Sequence, residues 1–136
     1  YDPQQSHLMA ALLRKFHEAK VSGQEQVTLW GSGTPRRELM FVDDAVDAAL
    51  FVLKNYAGKD PVNVGVGSDL TIREIADIAM RAVGFRGEIA YDSTKPDGAM
   101  QKLLDVSKLS SLGWKAKTSL EAGAAIAYAD FLAKQQ

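Results

Sequence analysis

One stretch, residues 27–44 (VTLWGSGTPRRELMFVDD), limits most strongly what this chain can fold into. It begins as a short apolar strand, and the Gly-Ser-Gly-Thr-Pro segment that follows predicts a tight turn. A second apolar run then ends in a double aspartate, which is typical of a helix start. Because the turn is flanked by Trp30 and two arginines, it is suited to hold a flat, anionic ligand.

Apolar spacing elsewhere in the chain predicts helices. Apolar residues recur every three to four positions in several segments, and polar residues occupy the opposite face. Two capping-box signatures begin at Thr71 and Thr118, and Ser6 and Asp43 are single N-cap candidates. The predicted helices span residues 7–20, 43–55, 71–83, 106–111 and 118–134. The helix that begins at Asp43 is predicted to bury Ala45, Val46, Ala49, Leu50 and Leu53.

Short extended segments lie between these helices. The predicted strands span residues 26–30, 38–42, 61–64, 88–91 and 103–104. Helices mixed with short strands at irregular spacing predict an α/β fold with small, short-stranded sheets rather than a complete doubly wound one.

Length and composition exclude several function classes. The net charge of −1 gives no basis for a nucleic acid or a membrane as partner, although 16 basic residues can still form a local anion site. The absence of cysteine excludes disulfides, thiolate metal sites and a cysteine nucleophile, and it fits a cytoplasmic protein. No apolar run approaches the roughly 20 residues that span a bilayer.

We interpret the 136 residues as one domain, because they contain no internal repeat, low-complexity segment or interdomain linker. The first residues, Tyr1-Asp2-Pro3, are not an initiation sequence, and the chain opens in the middle of a pattern. We therefore expect a fragment of something longer.

Two glycine pairs are the candidates for a dinucleotide-binding loop, which requires G-x-G-x-x-G between a strand and a helix. Gly31 and Gly33 lead into a proline rather than a helix. Gly65 and Gly67 precede a capping box but lack the third glycine at the required offset. We interpret both pairs as structural turns, so the chain is not expected to bind a nicotinamide cofactor by itself.

His7 is the candidate for proton transfer. It falls in the first turn of a predicted helix, where an exposed or capping histidine is the simplest interpretation. A helix N-terminus disfavours the imidazolium, however, and an imidazole that titrates near neutrality suits a general acid. His17 lies about 15 Å further along the helix axis, so the two histidines cannot share one metal ion. Since the chain has no other histidine, a metal site is not expected.

The residues near the turn allow more than one interpretation. Lys15 and Arg37 could belong to a solvated face, or the guanidinium could bind two diphosphate oxygens. Trp30 could pack in the core or stack on a base.

Two acidic sites have plain structural interpretations. The adjacent Asp43 and Asp44 resemble a carboxylate dyad, but an N-cap followed by a first-turn acid fits them better. Asp97, in a Pro-Asp-Gly sequence, is typical of a turn residue.

Eight segments, in order along essentially the whole chain, resemble the C-terminal part of the GDP-L-fucose synthases, a family of extended short-chain dehydrogenases. The most specific strings are S-H-x-x-x-A-L-x-x-x-F-H-E-A, W-G-S-G-T-P-x-R-E and K-P-D-G, whereas V-D-D and N-V-G occur in many sugar-nucleotide epimerases and dehydratases. The segments are residues 6–19, 30–38, 42–44, 63–65, 71–74, 95–98, 102–106 and 112–114.

This resemblance implies that residues 1–136 form the C-terminal, GDP-sugar-binding domain of an enzyme that converts GDP-4-keto-6-deoxy-D-mannose to GDP-L-fucose. Members of the family epimerise C3 and C5 of the keto-sugar and then reduce its C4 ketone with NADPH. Their N-terminal Rossmann domain binds most of the NADPH and carries a Tyr-x-x-x-Lys pair and a cysteine base. That domain is absent from this chain, and the complete enzyme is expected to be a homodimer.

The resemblance also implies roles for five residues. His7 matches the histidine that acts as the acid in epimerisation and lies near the nicotinamide of the cofactor. The other four match positions that bind the GDP-sugar, two suited to the diphosphate and two to the nucleoside or sugar. These are Lys15 and Arg37 for the diphosphate, and Trp30 and Asp97 for the nucleoside or sugar.

The chain departs from the family pattern at three places. Ala10 stands where the family usually has proline, and Phe41 stands where it usually has histidine, which we expect to affect packing. After K-P-D-G, the sequence Ala99-Met100-Gln101 replaces Thr-Pro-Arg. The arginine lost there is close to the sugar-nucleotide site, so this change bears on substrate affinity and on the identity of the nucleotide.

Two other functions remain open: the substrate domain of another NDP-sugar epimerase or dehydratase, and a sugar-nucleotide-binding module without catalysis. His7 together with W-G-S-G-T-P argues against the first, and the departures at Phe41 and at residues 99–101 favour the second. For a substrate domain, we expect an apolar surface around His7 and Trp30, where the nucleotide domain would dock.

Overall fold

The structure, a computed structural model, describes residues 7–134, so the Ser6 N-cap and residues 1–3 lie outside the described range. The helices are α1 (Leu8–Val21), α2 (Val42–Asn55), α3 (Ile72–Val83), α4 (Ser107–Ser111) and α5 (Leu120–Ala133). The strands are β1 (Gln26–Trp30), β2 (Arg36–Arg37), β3 (Leu70–Thr71), β4 (Glu88–Asp92) and β5 (Gln101–Lys102). This arrangement confirms the predicted α/β class with small sheets. No helix between residues 7 and 134 is both long enough and apolar enough to cross a membrane.

The strands form two small sheets. Every residue of β1 pairs in parallel with β4, from Gln26 opposite Glu88 to Trp30 opposite Asp92. In the second sheet, β2 lies between β3, to which it is antiparallel, and β5, to which it is parallel. Since β1 and β2 are separated only by the glycine-rich turn, that turn connects the two sheets.

The main core lies between β1 and the helices α1, α3 and α5. Helix α3 begins with the predicted capping box, in which the Thr71 hydroxyl accepts from the Glu74 amide and the Glu74 carboxylate accepts from the Thr71 amide. It ends at Gly84 in the left-handed conformation. Each large apolar side chain buried here stabilises the fold by roughly 1.5–3 kcal/mol. The buried members are Leu12, Leu13, Phe16, Ala19, Val27, Leu29, Ile75, Ala76, Ala79, Val83 and Phe85.

Helix α2 turns its apolar side outward, so the prediction that this side is buried is wrong. Leu53 is 79% exposed and Val46 is 54% exposed, whereas the buried residues of the helix are Asp44 and Ala48. The helical period was predicted correctly, but periodicity does not show whether the partner of an apolar face lies in the same chain. The exposed set, here called the α2 stripe, is Val42, Val46, Ala49, Leu50 and Leu53.

Several element boundaries also differ from the predictions. The N-cap of α2 is Phe41 rather than Asp43, and the N-cap of α5 is Ser119 rather than Thr118. Residues 38–41 form no strand, because strand pairing in this segment occurs just before them, at Arg36–Arg37 in β2. Residues 61–64 pair with no strand among residues 7–134.

Asp43 and Asp44 both lie in the first turn of α2, so the predicted first-turn acid is confirmed. Asp44 makes a structural contact and is not half of a carboxylate dyad. Asp44 is 6% exposed, and its carboxylate accepts hydrogen bonds from the backbone N–H groups of Thr118, at 2.8 Å, and Lys117, at 3.2 Å. It therefore ties α2 to the segment that leads into α5.

Replacing Asp44 with alanine is expected to lower the free energy of unfolding by about 1–3 kcal/mol, because two part-buried amides lose their acceptor. Urea unfolding followed by circular dichroism measures this change. The control is Asp43→Ala, an exposed carboxylate of the same helical turn, for which we expect a loss below about 1 kcal/mol. Equal losses in the two variants would contradict the role of Asp44.

Candidate functional site

The glycine-rich turn is fixed by the start of helix α3. Gly31 and Gly33 have φ values of +85° and +77°, which side chains other than glycine rarely adopt. The first amides of α3 donate to this turn: Ile72 N–H to the Pro35 carbonyl at 2.8 Å, and Arg73 N–H to the Gly33 carbonyl at 3.0 Å. Amides that a helix start normally leaves unpaired are thus used to hold the turn in place.

Tyr91 and Arg73 enclose the turn from one side. A Cβ atom at Gly33 would come within 2.6 Å of the Tyr91 ring, so only glycine fits there. The Arg73 guanidinium lies 4.0 Å from the centre of that ring and donates to the Ser32 carbonyl at 2.9 Å. Burial raises the pKa of the Tyr91 hydroxyl, and the nearby Arg73 charge opposes this shift.

Asp97 joins the loop of residues 93–100 to the turn. Its carboxylate accepts from the backbone N–H of Ser32 at 2.7 Å and from the Ser32 hydroxyl at 2.8 Å. A Cβ atom at Gly31 would overlap this carboxylate. Asp97 therefore lies beside the glycine-rich turn, with both carboxylate oxygens bonded to Ser32.

Trp30 is 73% exposed, so the interpretation that it packs in the core is wrong. It ends β1, directly before the turn, and the Lys95 ammonium lies 5.7 Å from its ring centre. An exposed indole beside a cation is able to stack on a base or sugar.

Arg37 and Lys102 stand side by side. They are register partners in the parallel pair β2–β5, so their side chains leave the same face of the sheet about 5 Å apart. Arg37 Nη1 donates to the Arg36 carbonyl at 2.7 Å, and no ion pair among residues 7–134 includes Arg37 or Lys102. The sequence did not predict Lys102 as a neighbour of Arg37, because only the non-local register of β5 brings the two residues together.

The preceding register pair, Arg36 and Gln101, is held by Asp69. The Asp69 side chain is 7% exposed, and it accepts from Arg36 Nε at 2.7 Å and from the side-chain amide of Gln101. These hydrogen bonds, first from Gln101 and then from Arg36, lower the pKa of Asp69. Since successive residues of a strand face opposite sides, Gln101 lies on the face away from Arg37. Gln101, which stands where the family resemblance leads us to expect arginine, thus makes a structural contact with Asp69 in this sheet.

Lys15 lies on α1 and is exposed. Its ammonium donates to the Thr28 carbonyl at 2.7 Å, two residues before Trp30 on β1. This hydrogen bond holds Lys15 against the strand that leads into the turn.

His7 occupies a separate position. It is the exposed N-cap of α1 and makes no side-chain capping bond, and it lines an apolar cavity of about 560 Å³. The cavity lies where α1, α2 and α5 begin, and Phe41 packs there against Gly123, which agrees with the packing role expected for it. The His7 imidazole makes no hydrogen bond or ion pair with another residue of the described range 7–134, whereas the His7 carbonyl accepts from the Ala11 amide at 2.9 Å. His17 Nδ1 lies 2.9 Å from the Tyr128 hydroxyl.

The second glycine turn does not fit a dinucleotide phosphate. Its amides, Val66 N–H and Gly67 N–H, donate to Glu38 Oε1 at 2.5 Å and 2.7 Å. A phosphate-binding loop needs such amides free. Between residues 7 and 134 there is also no cluster of three or more His, Asp or Glu residues placed to hold a metal ion.

Comparisons with known proteins agree with this fold. Residues 1–65 match the sequence profile described as the NAD dependent epimerase/dehydratase family. The chain is 50% identical over 128 residues to GDP-L-fucose synthase 1 of Arabidopsis thaliana. This match covers 94% of this chain and 40% of that protein. A GDP-mannoheptose C4 reductase from Campylobacter jejuni, solved with NADP bound, is 33% identical with a TM-score of 0.83, covering 97% of this chain and 46% of that one. A GDP-L-fucose synthetase from Naegleria fowleri shares the fold, with a TM-score of 0.90 and 23% sequence identity. The match covers 99% of this chain and 43% of that protein.

The chain therefore resembles proteins of the NAD dependent epimerase/dehydratase family, whose sequence profile matches its first 65 residues. Within that family it resembles the C-terminal part of the GDP-L-fucose synthases, as its sequence strings indicated. It spans about two fifths of the length of those relatives.

The lowered pKa of Asp69 predicts an acid-dependent contribution to stability. Because folding lowers this pKa, the ionised carboxylate stabilises the fold above the unfolded value of roughly 3.9. The contribution is lost as the pH falls through the lower, folded pKa. Asp69→Asn should reduce the free energy of unfolding at pH 7 and flatten its decline below about pH 4.

Urea midpoints measured from pH 7 to about pH 2.5 test this expectation. The control is Asp60→Asn, which removes a carboxylate that is 87% exposed and should leave the pH profile as in the wild type. An Asp69→Asn profile that runs parallel to the wild-type profile would contradict the assignment.

Proposed function

We propose that this chain is the substrate-binding portion of an enzyme that converts GDP-4-keto-6-deoxy-D-mannose to GDP-L-fucose by C3/C5 epimerisation and NADPH-dependent C4 reduction. The observation that carries the proposal is the grouping of Trp30 with the cation pair Arg37–Lys102 around one loop. Lys95 of that loop lies over the Trp30 ring, and a Cβ atom at Gly98 of the same loop would lie 3.9 Å from Arg37 Nη2. An exposed aromatic platform beside two cations without carboxylate partners suits a nucleoside diphosphate.

In this proposal each group has a defined role. Arg37 binds the diphosphate oxygens through its planar guanidinium, and Lys102 adds a second positive charge beside it. Lys15 contributes to the same anionic part of the substrate from helix α1. Trp30 stacks on the nucleoside or sugar, and Asp97 shapes this part of the site by fixing the loop against Ser32.

His7 is proposed as the acid that protonates the enolate formed at C3 or C5 during epimerisation. Its position supports this role in two ways. It stands exposed at the start of α1 and makes no side-chain capping bond, so its ring nitrogens are available to a substrate. It also borders an apolar cavity, in which a proton transfer is shielded from bulk water.

Neither glycine pair of the described residues has the geometry of a dinucleotide-binding loop. Gly31 and Gly33 lead into β2 rather than a helix, and the amides of Val66 and Gly67 are bound to Glu38. We therefore propose that an N-terminal Rossmann domain of the complete protein holds most of the NADPH, which supplies the hydride for C4, and that His7 contacts the bound cofactor. The homodimer and the cytoplasmic location implied by the resemblance belong to the same proposal.

The α2 stripe is the surface we propose for contact with that domain. Helix α2 is followed by residues 61–64, which are extended in pattern but pair with no strand in the described part of the chain. A helix followed by a strand is half of a βαβ unit, in which the apolar side of the helix packs on the sheet that the strand joins. The expected docking surface around His7 and Trp30 thus extends to α2, whose apolar side was predicted to be buried.

Arg37→Ala in the complete protein should weaken GDP binding about 10- to 100-fold, because a charged, bidentate contact to the diphosphate is lost. Isothermal titration with GDP measures the change. Guanosine should bind the variant and the wild type alike, since it has no phosphate. The control is Arg86→Ala, an exposed cation between α3 and β4. Unchanged GDP affinity in Arg37→Ala would overturn the diphosphate assignment.

Leu53→Asp places a charge in the proposed interface, and it should lower the unfolding free energy of the complete protein by roughly 2 kcal/mol or more. Urea unfolding of the complete protein measures this loss. Val21→Asp is the matched control, because Val21 is 73% exposed at the end of α1, outside the α2 stripe. If the two variants lose the same stability, the α2 stripe is not a domain interface.

A further inference from the structure

We propose that Glu38 is a positioning residue that sets the spacing of the Arg37–Lys102 cation pair for the diphosphate. This inference rests on the proposed GDP-sugar function of the site. It assigns a role to a carboxylate that contacts no ligand in the proposed function.

The Glu38 carboxylate connects three segments of backbone. Oε1 accepts from the amides of Val66 and Gly67, at 2.5 Å and 2.7 Å, and Oε2 accepts from the amide of Leu104 at 2.9 Å. The Glu38 amide also donates to the Lys102 carbonyl at 3.2 Å. We call this set of hydrogen bonds the Glu38 clamp.

The cation pair needs such a clamp. Arg37 and Lys102 carry like charges on neighbouring strands, and like charges directly opposite each other destabilise strand pairing. The β2–β5 ladder contains only two register pairs, so it has little pairing with which to resist this repulsion. Without a further tie, the strands would separate at the end where the two cations stand.

Each register pair of β2–β5 has one carboxylate beside it. Asp69 holds Arg36 and Gln101, and Glu38 holds the strands just beyond Arg37 and Lys102. Because Glu38 follows Arg37 directly, its side chain leaves the opposite side of the backbone. The clamp therefore fixes the two cations without neutralising them, and it leaves their donors available to an anion.

The glycine turn at residues 65–67 is built for the clamp. A Cβ atom at Gly65 would lie 2.5 Å from Glu38 Oε1 and 3.1 Å from Glu38 Cδ. Only glycine at position 65 allows the carboxylate to reach both amides of the turn.

Two variants open the clamp in different ways. Glu38→Gln places an NH₂ group where a second acceptor is needed, so at least one of the three amides loses its partner. Gly65→Ala changes no charge or hydrogen-bonding group, but its methyl displaces the carboxylate. The control is Glu121→Gln, which removes an exposed first-turn carboxylate of α5 and should lower stability without moving β2 or β5.

The experiment is a double-mutant cycle for GDP binding in the complete protein, with melting temperatures measured to confirm folding. Glu38→Gln and Gly65→Ala should each weaken GDP binding about five- to tenfold and leave guanosine binding unchanged. In an Arg37→Ala/Lys102→Ala background, the same changes should alter GDP binding less than twofold, because the groups they position are absent.

The outcomes separate the two proposals. If wild-type protein does not bind GDP, both the proposed function and the positioning role fail. If wild-type protein binds GDP and Arg37→Ala weakens binding, the site stands. Equal losses from Glu38→Gln with and without the cation pair, or a loss no larger than in Glu121→Gln, would then overturn the positioning role alone.

Discussion

The turn at residues 31–33, in which Gly31 and Gly33 have positive φ values, holds the parts of the candidate site together. Its first amide, of Gly31, donates to the Asp92 carbonyl of β4, and its carbonyls accept from the start of α3. Asp97 holds it from the loop on the third side. A turn fastened from three directions keeps the end of β1 and the start of β2 at a fixed separation. The groups at these two ends therefore require little ordering when a ligand binds between them.

The features that could be predicted from the sequence are those fixed by neighbours within four residues. The capping box at Thr71 and Glu74, the helix stop at Gly84 and the apolar alternation of β1 all depend on local hydrogen bonds or on local side-chain direction. The turn itself belongs to this group, because its glycines and proline specify backbone conformation directly.

The features that could not be predicted depend on residues far apart in the chain. The parallel register of β2 with β5 joins residues more than 60 positions apart, so nothing local marks Lys102 as the neighbour of Arg37. Trp30 and the apolar side of α2 are exposed because no other described segment packs over them. The spacing of apolar residues does not show whether such a segment is present. Of the site residues inferred from the family resemblance, the structure groups Trp30, Arg37 and Asp97 around one loop, and it places Lys15 against β1 and His7 at the apolar cavity.

Several carboxylates of this fold accept hydrogen bonds from backbone amides of the same chain. Glu38, Asp44 and Asp97 each accept from at least two backbone or hydroxyl donors within the fold. Acidic and basic residues nearly balance over the whole chain, at 17 and 16, yet Arg37 and Lys102 have no carboxylate partner in the described residues. An approaching anion therefore meets a local positive potential that the total charge conceals. At physiological ionic strength this potential extends roughly 8 Å, so the rate of anion capture should fall as salt rises, even though the molecule as a whole is close to neutral.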